Sequence, residues 1–359
     1  LSKLKFLDPA CGCGNFLVIT YRELRILELA VLSHLYGNDR VVVELEDVAL
    51  LNVDMMSGIE YEEFPARIAE VAMWLMDHQM NLKMSMEFGQ YFARLPLTKS
   101  ANIVHGDALE IEWEIVVSKN DLSFIIGNPP FIGSKIMTQK QRDQIVREFD
   151  KIQGCGVLDY VTGWYIKAAK YMQGTNIKTA FVSTNSIVQG EQTSILWGIL
   201  LNKYNIKIHF AHRTFKWSNE AKGNAAVYCI IVGFANFDTN NKVIFEYPDI
   251  KGEPNDNKAK NINPYLVDAN DILILKRSNS ICNVPKMYKG SQPTDGGFFL
   301  FTEIEKNEFL KLEPRAEKFI KPLISAYEFL NGLKRFCLWL VDASPSELKQ
   351  MRAVLERID

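Results

Sequence analysis

Within this 359-residue chain, Asn128-Pro129-Pro130-Phe131 is the segment whose residue types point most directly to chemistry. The exocyclic amino group of adenine is a poor nucleophile because its lone pair is conjugated with the ring. Two acceptors, the Asn128 side-chain oxygen and the Pro129 carbonyl, suit its two N–H groups. Such a pair orients the lone pair and stabilises positive charge as it develops. Pro129 and Pro130 restrict φ and so fix the carbonyl direction. Phe131 offers a ring for a base to stack on. A base paired inside a duplex must first leave the stack to reach such a pocket. Asn-Pro-Pro alone is a common turn. Here it follows an apolar strand pattern at 124–126 and three further segments, which gives it weight.

The first of these is Asp8-Pro9-Ala10-Cys11-Gly12-Cys13-Gly14-Asn15-Phe16. Its glycines permit positive φ and close passage of a ligand. The third glycine of a dinucleotide fingerprint is missing, Val18 and Ile19 standing where it would fall. Asp8 would repel a pyrophosphate and attract a sulfonium or ammonium group. The second is Gly58-Ile59-Glu60-Tyr61, where a strand-end carboxylate suits two ribose hydroxyls. The third is Gly106-Asp107-Ala108, where Asp107 suits an adenine amino group. Each alone is an ordinary strand end or turn; their order along the chain carries the argument.

The elements needed to position these residues are strands alternating with helices. We expect strands at 4–7, 57–61, 103–104, 124–126, 179–183, 206–211 and 225–234. Helices are expected at 16–35, through Ala66, Ala69, Ala72, Met73 and Met76, at 158–172, and between the fifth and sixth strands. The alternation implies an α/β fold with a mainly parallel sheet, helices on both faces, and ligands at the carboxyl edge of the strands. The last two strands are expected to form a hairpin at one sheet edge. The polar stretch 236–263 reads as a loop or boundary. A change of texture near Ser280, with more Pro and Gly, predicts a first domain over 1–278 and a partial α+β domain over 279–359. No internal repeat or low-complexity tract is evident.

Composition narrows the classes. Hydrophobic residues make up 47% of the chain and aromatics 11%, which excludes disorder. No apolar run approaches a membrane span, and no signal peptide is evident. Six scattered cysteines are not a disulfide framework, so a reducing cytoplasm is expected. Cys11 and Cys13 lack the partners of a zinc site, and no metal is expected. Net charge is −2, but it is unevenly spread: residues 1–134 hold 10 Lys+Arg against 19 Asp+Glu, and residues 135–222 hold 13 against 6. The basic stretch suits one wall of a DNA cleft or a solvated helical surface. No Pro-Cys motif marks a thiol for attack on cytosine carbon 5, and His34, His78, His105, His209 and His212 form no triad. Asp342 with Glu347-Leu348-Lys349 has the spacing of a nuclease site, but Pro345 interrupts it and no strand hairpin is evident.

With these motifs in place, DPACGCGNF, GIEYEEFPARIAEVAMWLMDHQMN, VHGDAL and GNPPF resemble the amino-adenine DNA methyltransferases whose cofactor motif comes first. The longer resemblance is to the MmeI-like restriction–modification enzymes, which join nuclease, methyltransferase and target recognition in one polypeptide. LDYVTGWYIKAA, FVSTNSIVQGEQ and GNAAVYCIIVGF look like their later methyltransferase segments. PKMYKGSQPTDGG and NGLKRFCLWLVDASPSEL look like the opening of their recognition domain. The resemblance implies a Rossmann-like class I methyltransferase acting on double-stranded DNA with S-adenosyl-L-methionine. It implies cofactor contacts at Asp8, Ala10, Cys11, Gly12, Gly14, Asn15, Phe16, Glu60, Tyr61, Asp107 and Ala108. Catalysis would fall to Asn128, Pro129, Pro130 and Phe131, with Asp159 and Tyr160 beside the cofactor. Cys13 departs from the family's usual Ser.

The family's nuclease, helical spacer and a further cofactor motif lie upstream of the matched segments. The chain is therefore expected to be a piece of a longer polypeptide that carries the nuclease elsewhere. Two other readings remain at this point. A methyltransferase for an RNA amine or a protein glutamine would use the same Asn-Pro-Pro logic but would not need the segment after 280. A DNA-recognition module with a silent site would not bind the cofactor.

Overall fold

All three residues of strand β1 (Phe6–Asp8) are buried, as a central parallel strand covered on both faces requires. Phe6 enters an apolar cluster with Leu17, Tyr21, Ala69 and Met73, whereas Leu7 enters another with Trp164, Tyr165 and Ile125. This alternation is the two-residue period of a strand, and it places helices on both sides of the sheet. The computed structural model describes residues 1–36, 44–92, 100–217, 227–277, 279–286, 290 and 293–358. The chain separates into two compact units, Leu1–Lys276 and Arg277–Asp359.

In the first unit β1 is followed by α1 (Asn15–Tyr36), α2 (Leu45–Val48), β2 (Met56–Glu60), α3 (Glu63–Phe88) and β3 (Asn102–His105). Then come α4 (Trp113–Val116), β4 (Phe124–Gly127), α5 (Gln139–Glu148), α6 (Thr162–Tyr171), β5 (Lys178–Thr184) and α7 (Gly190–Asn202). Strands β6 (Lys207–Trp217), β7 (Val227–Ala235), β8 (Lys242–Glu246) and β9 (Asn255–Ala259) complete a sheet of order β3-β2-β1-β4-β5-β7-β6-β8-β9. The neighbours from β3 to β5 pair in parallel, and β7 runs antiparallel to both β5 and β6. The expected mainly parallel α/β architecture is thus present. Tyr165 stacks on Phe234 at 5.3 Å and meets Phe181 edge-on at 5.4 Å, tying α6 to the middle of the sheet.

Three expectations change, and a fourth lies partly outside the described residues. The β6–β7 hairpin forms but does not lie at a sheet edge, because β7 inserts between β5 and β6, and β8 and β9 extend the sheet beyond β6. The stretch expected as a loop at 236–263 contains those two strands. β9 reads Asn-Asp-Asn-Lys-Ala with only Ala259 buried, so its ladder with β8, not apolar burial, holds it. Residues 225 and 226 of the expected seventh strand lie outside the described residues. Finally, α6 starts at Thr162 rather than 158, because Asp159 turns its groups elsewhere. Its carboxylate accepts the Ser134 N–H and the Ser186 hydroxyl, and its carbonyl accepts the Thr162 hydroxyl.

The second unit has β10 (Leu300–Thr302), α8 (Glu303–Leu312), β11 (Ile320–Pro322), α9 (Ala326–Asn331), β12 (Arg335–Leu338), α10 (Pro345–Leu348) and α11 (Arg352–Ile358). Its antiparallel sheet has the order β10-β12-β11 over a core of Phe301, Phe309, Phe319, Leu338, Met351 and Val354. Helices α8, α9 and α10 each begin with a capping box. Glu347 of the nuclease-like spacing belongs to one of them. It accepts the Ser344 N–H at 3.0 Å and pairs with Lys318, which pulls its carboxyl down to about 2. Among the described residues no helix is long and apolar enough to cross a membrane.

Candidate active site

The sheet brings the four motifs to one cavity of about 540 Å³. Ala10 follows β1, Glu60 ends β2, Asp107 lies two residues beyond β3, and Asn128 follows β4; all four line it. Tyr61, Ala108 and Pro130 line it as well. Of the other expected site residues, Asp8, Cys11, Gly14 and Pro129 are buried, and Asn15 is exposed at the start of α1. The Cys11 thiol faces the core beneath α1 and α3, where burial pushes it well above the ordinary thiol range. Cys13 points to solvent. Phe131 is half-buried against the core and does not line the cavity. No group of three or more His, Cys, Asp or Glu that could hold a metal occurs among the described residues.

Close packing explains the glycine turn. Gly14 has φ 84°, and a Cβ there would stand 3.1 Å from that of Ala69, so α1 can start only where this residue has no side chain. The Gly12 N–H donates to Glu60 Oε2 at 2.8 Å, and the Glu62 N–H donates to Oε1 at 3.0 Å. Each Glu60 oxygen keeps a second lone pair, on a carboxylate whose position is fixed from both sides. Asp107 is fixed similarly: Oδ1 accepts the Leu109 N–H at 3.1 Å, while Oδ2 accepts Gln144 Nε2 at 2.7 Å and lies 3.4 Å from Lys140 Nζ.

Two acceptors stand out as buried and without partners: Asp8 Oδ2 and Asn128 Oδ1. Asp8 is wholly buried, and its other oxygen takes the Ala10 N–H at 3.0 Å. Burial, aided by nearby Glu60, lifts its carboxyl from 3.8 to about 7. The next strand touches it so closely that a Cβ on Gly127 would lie 2.7 Å from Asp8 Oδ1. Gly127, directly before Asn128, is therefore required by the first motif. The Trp164 indole donates to the Pro9 carbonyl at 3.0 Å and clamps the same turn from α6.

Other lining residues had no motif to mark them: Ile132, Thr138, Lys140, Gln141 and Gln144, from the loop after Phe131 and from α5. The Thr138-x-x-Gln141 capping box was the available signal. Tyr160 lines the cavity and donates to Gln144 Oε1 at 2.7 Å, whereas Asp159 instead ties the loop at Ser134 to Ser186.

Comparison with known proteins gives this geometry its context. Residues 1–246 match the family described as MmeI, DNA-methyltransferase domain, and residues 268–359 match MmeI, target recognition domain. DNA methyltransferase A of Bacillus subtilis (strain 168) is 39% identical over 362 residues, covering 100% of this chain and 40% of the relative. The solved structure of the Type IIL restriction-modification enzyme MmeI in complex with DNA is 52% identical with a TM-score of 0.94, covering 99% of this chain and 48% of that one. The chain thus spans less than half the length of either. It belongs to the MmeI family of restriction–modification proteins, carrying the family's DNA-methyltransferase domain followed by its target recognition domain.

Proposed function

We propose that this chain is the methylating and target-reading part of a combined restriction–modification enzyme whose nuclease lies elsewhere in the polypeptide. Its substrate is an adenine of double-stranded DNA, flipped from the stack and methylated on N6. Asp8, Glu60 and Asp107 would hold S-adenosylmethionine, which when bound supplies an electrophilic methyl group on a positively charged sulfur. The residues suit that ligand. Asp8 Oδ2 is a buried carboxylate oxygen without a partner, directly before Pro9 and Ala10 of the cavity wall, and the lining acids Glu60, Glu62 and Asp107 favour a cation over a pyrophosphate.

The single observation that carries the catalytic reading is Asn128 Oδ1, a buried acceptor without a partner on a residue that lines the cavity. A buried amide oxygen left alone costs stability, on the order of 1–3 kcal/mol, so its retention argues for a ligand group that satisfies it. Asn128 Oδ1 and the Pro129 carbonyl together accept both N–H groups of the adenine amine. This draws the nitrogen lone pair out of conjugation and stabilises the positive charge that grows on it. The target recognition domain matched over 268–359 favours DNA over an RNA amine or a protein glutamine.

The test is Asn128→Ala in the full-length protein. Methyl transfer should fall by at least about 100-fold while S-adenosylmethionine affinity changes by less than about twofold. Undiminished transfer would refute the role of Asn128.

A further inference from the structure

Gln144 is only 2% exposed, and its amide joins three other side chains, two of which line the cavity. Its Nε2 donates both hydrogens to carboxylates, to Asp107 Oδ2 at 2.7 Å and to Glu110 Oε1 at 2.9 Å. Its Oε1 accepts the Tyr160 hydroxyl at 2.7 Å. The amide has only one sensible orientation, because turning it over would set an oxygen against two carboxylates. Tyr160 is itself fixed: its N–H donates to the Ile132 carbonyl at 2.9 Å, and its ring meets Trp164 edge-on at 5.2 Å. Arg147 holds Glu110 from the far side. Both polar atoms of the Gln144 amide thus have partners, and Asp107, Gln144 and Tyr160 all line the cavity.

We propose that Gln144, locked by Tyr160, is a positioning residue that presents Asp107 as an acceptor for the exocyclic amino group of a purine, so that the cavity selects an adenosyl ligand over a 6-oxopurine one. This rests on the cofactor reading above and adds the residue that makes it selective. All groups that reach Asp107 are donors, from Leu109, Gln144 and Lys140. The carboxylate therefore meets the ligand as an acceptor. A 6-amino group completes that arrangement, whereas a 6-oxo group sets acceptor against acceptor. Lys140 is a weaker candidate for the same task, since its side chain is 62% exposed and an exposed pair of this kind holds little in place. Gln144 also lies on the helix that directly follows the Asn128 loop, so one element carries both the selective contact and the end of the catalytic loop.

The experiment measures affinity for S-adenosylhomocysteine and for S-inosylhomocysteine in the whole chain, alongside Gln144→Met and Tyr160→Phe. The native chain should prefer the adenosyl compound by roughly 10- to 100-fold. Gln144→Met should cut that ratio at least about fivefold, and Tyr160→Phe, which takes the donor from the Gln144 oxygen and loosens the side chain, about threefold. A purely structural role would lower both affinities together and leave the ratio where it was. An unchanged ratio in folded Gln144→Met overturns the proposal. If that variant melts far below the native chain, an unchanged ratio in Tyr160→Phe does so. Failure of the native chain to bind either compound overturns the cofactor reading instead.

Discussion

Asp8 is a carboxylic acid sealed inside the end of a central strand, with one oxygen bonded and the other alone. Burial makes its charged form costly, which is why its carboxyl rises to about 7. The sign of the consequence is fixed. A folded value above the unfolded one favours folding fully below about 3.8, and that contribution disappears as pH rises through about 7. The loss is on the order of 4 kcal/mol across the window. The ligand-free chain should therefore lose stability between about pH 4 and 7, and Asp8→Asn should flatten that slope in urea titrations. A cation beside Asp8 restores the charged form, so S-adenosylmethionine binding at pH 6.5 should release a proton. Calorimetry in two buffers of different ionisation enthalpy reads this directly. Equal proton release from Asp8→Asn would remove Asp8 from the explanation.

Helices α1 and α3 are joined by a charge network with no place in the chemistry. Arg25 is fully buried; it pairs with Glu28 and Asp77, each at 3.2 Å, and donates to Asn81 at 3.0 Å. Glu28 in turn accepts the N–H groups of Leu50 and Leu51, fixing the chain that leads into β2 and so to Glu60. Removing one partner of such a network leaves the others charged and dry. Arg25→Ala should cost about 3–5 kcal/mol in chemical denaturation; a loss below about 1 kcal/mol would mean that water enters the network and carries the load. No motif announces this arrangement, and the same holds for α5. Its sequence QKQRDQIVRE buries only Gln144 and Ile145, so apolar periodicity is blind to it although its capping box was readable. Strand β9 is hidden for the same reason, with four exposed polar residues out of five. Local pattern carried the apolar strands and helices, and with them Glu60, Asp107 and Asn128 at the strand ends. It could not carry the insertion of β7 between β5 and β6, which is a matter of long-range pairing, nor a glutamine whose importance lies in what it touches.

At the scale of the whole molecule, a net charge of −2 conceals a division. The acidic excess of the first 134 residues supplies the cavity acids Glu60, Glu62 and Asp107, and the basic stretch after it begins with Lys135, Lys140 and Arg142 on the loop after Phe131 and on α5. An acid-lined cavity and a basic stretch thus follow one another directly in sequence, an order that suits the proposed cationic cofactor and a DNA backbone. The two compact units divide the work differently. Every residue that lines the cavity falls between Pro9 and Trp164, inside Leu1–Lys276. The aromatic core around Phe301, Phe309 and Phe319 draws only on residues of the second unit. With all lining residues in the first unit, removing residues 277–359 should leave S-adenosylmethionine affinity within about twofold of the whole chain. The same truncation should abolish methylation at a defined DNA sequence, because the match to a target recognition domain covers 268–359. The two effects are separable by calorimetry with the cofactor and by sequencing of methylated DNA after truncation of the full-length protein. A cofactor affinity reduced by about tenfold or more would show that the second unit helps to complete the cavity, and the division of labour drawn from the lining residues would fail.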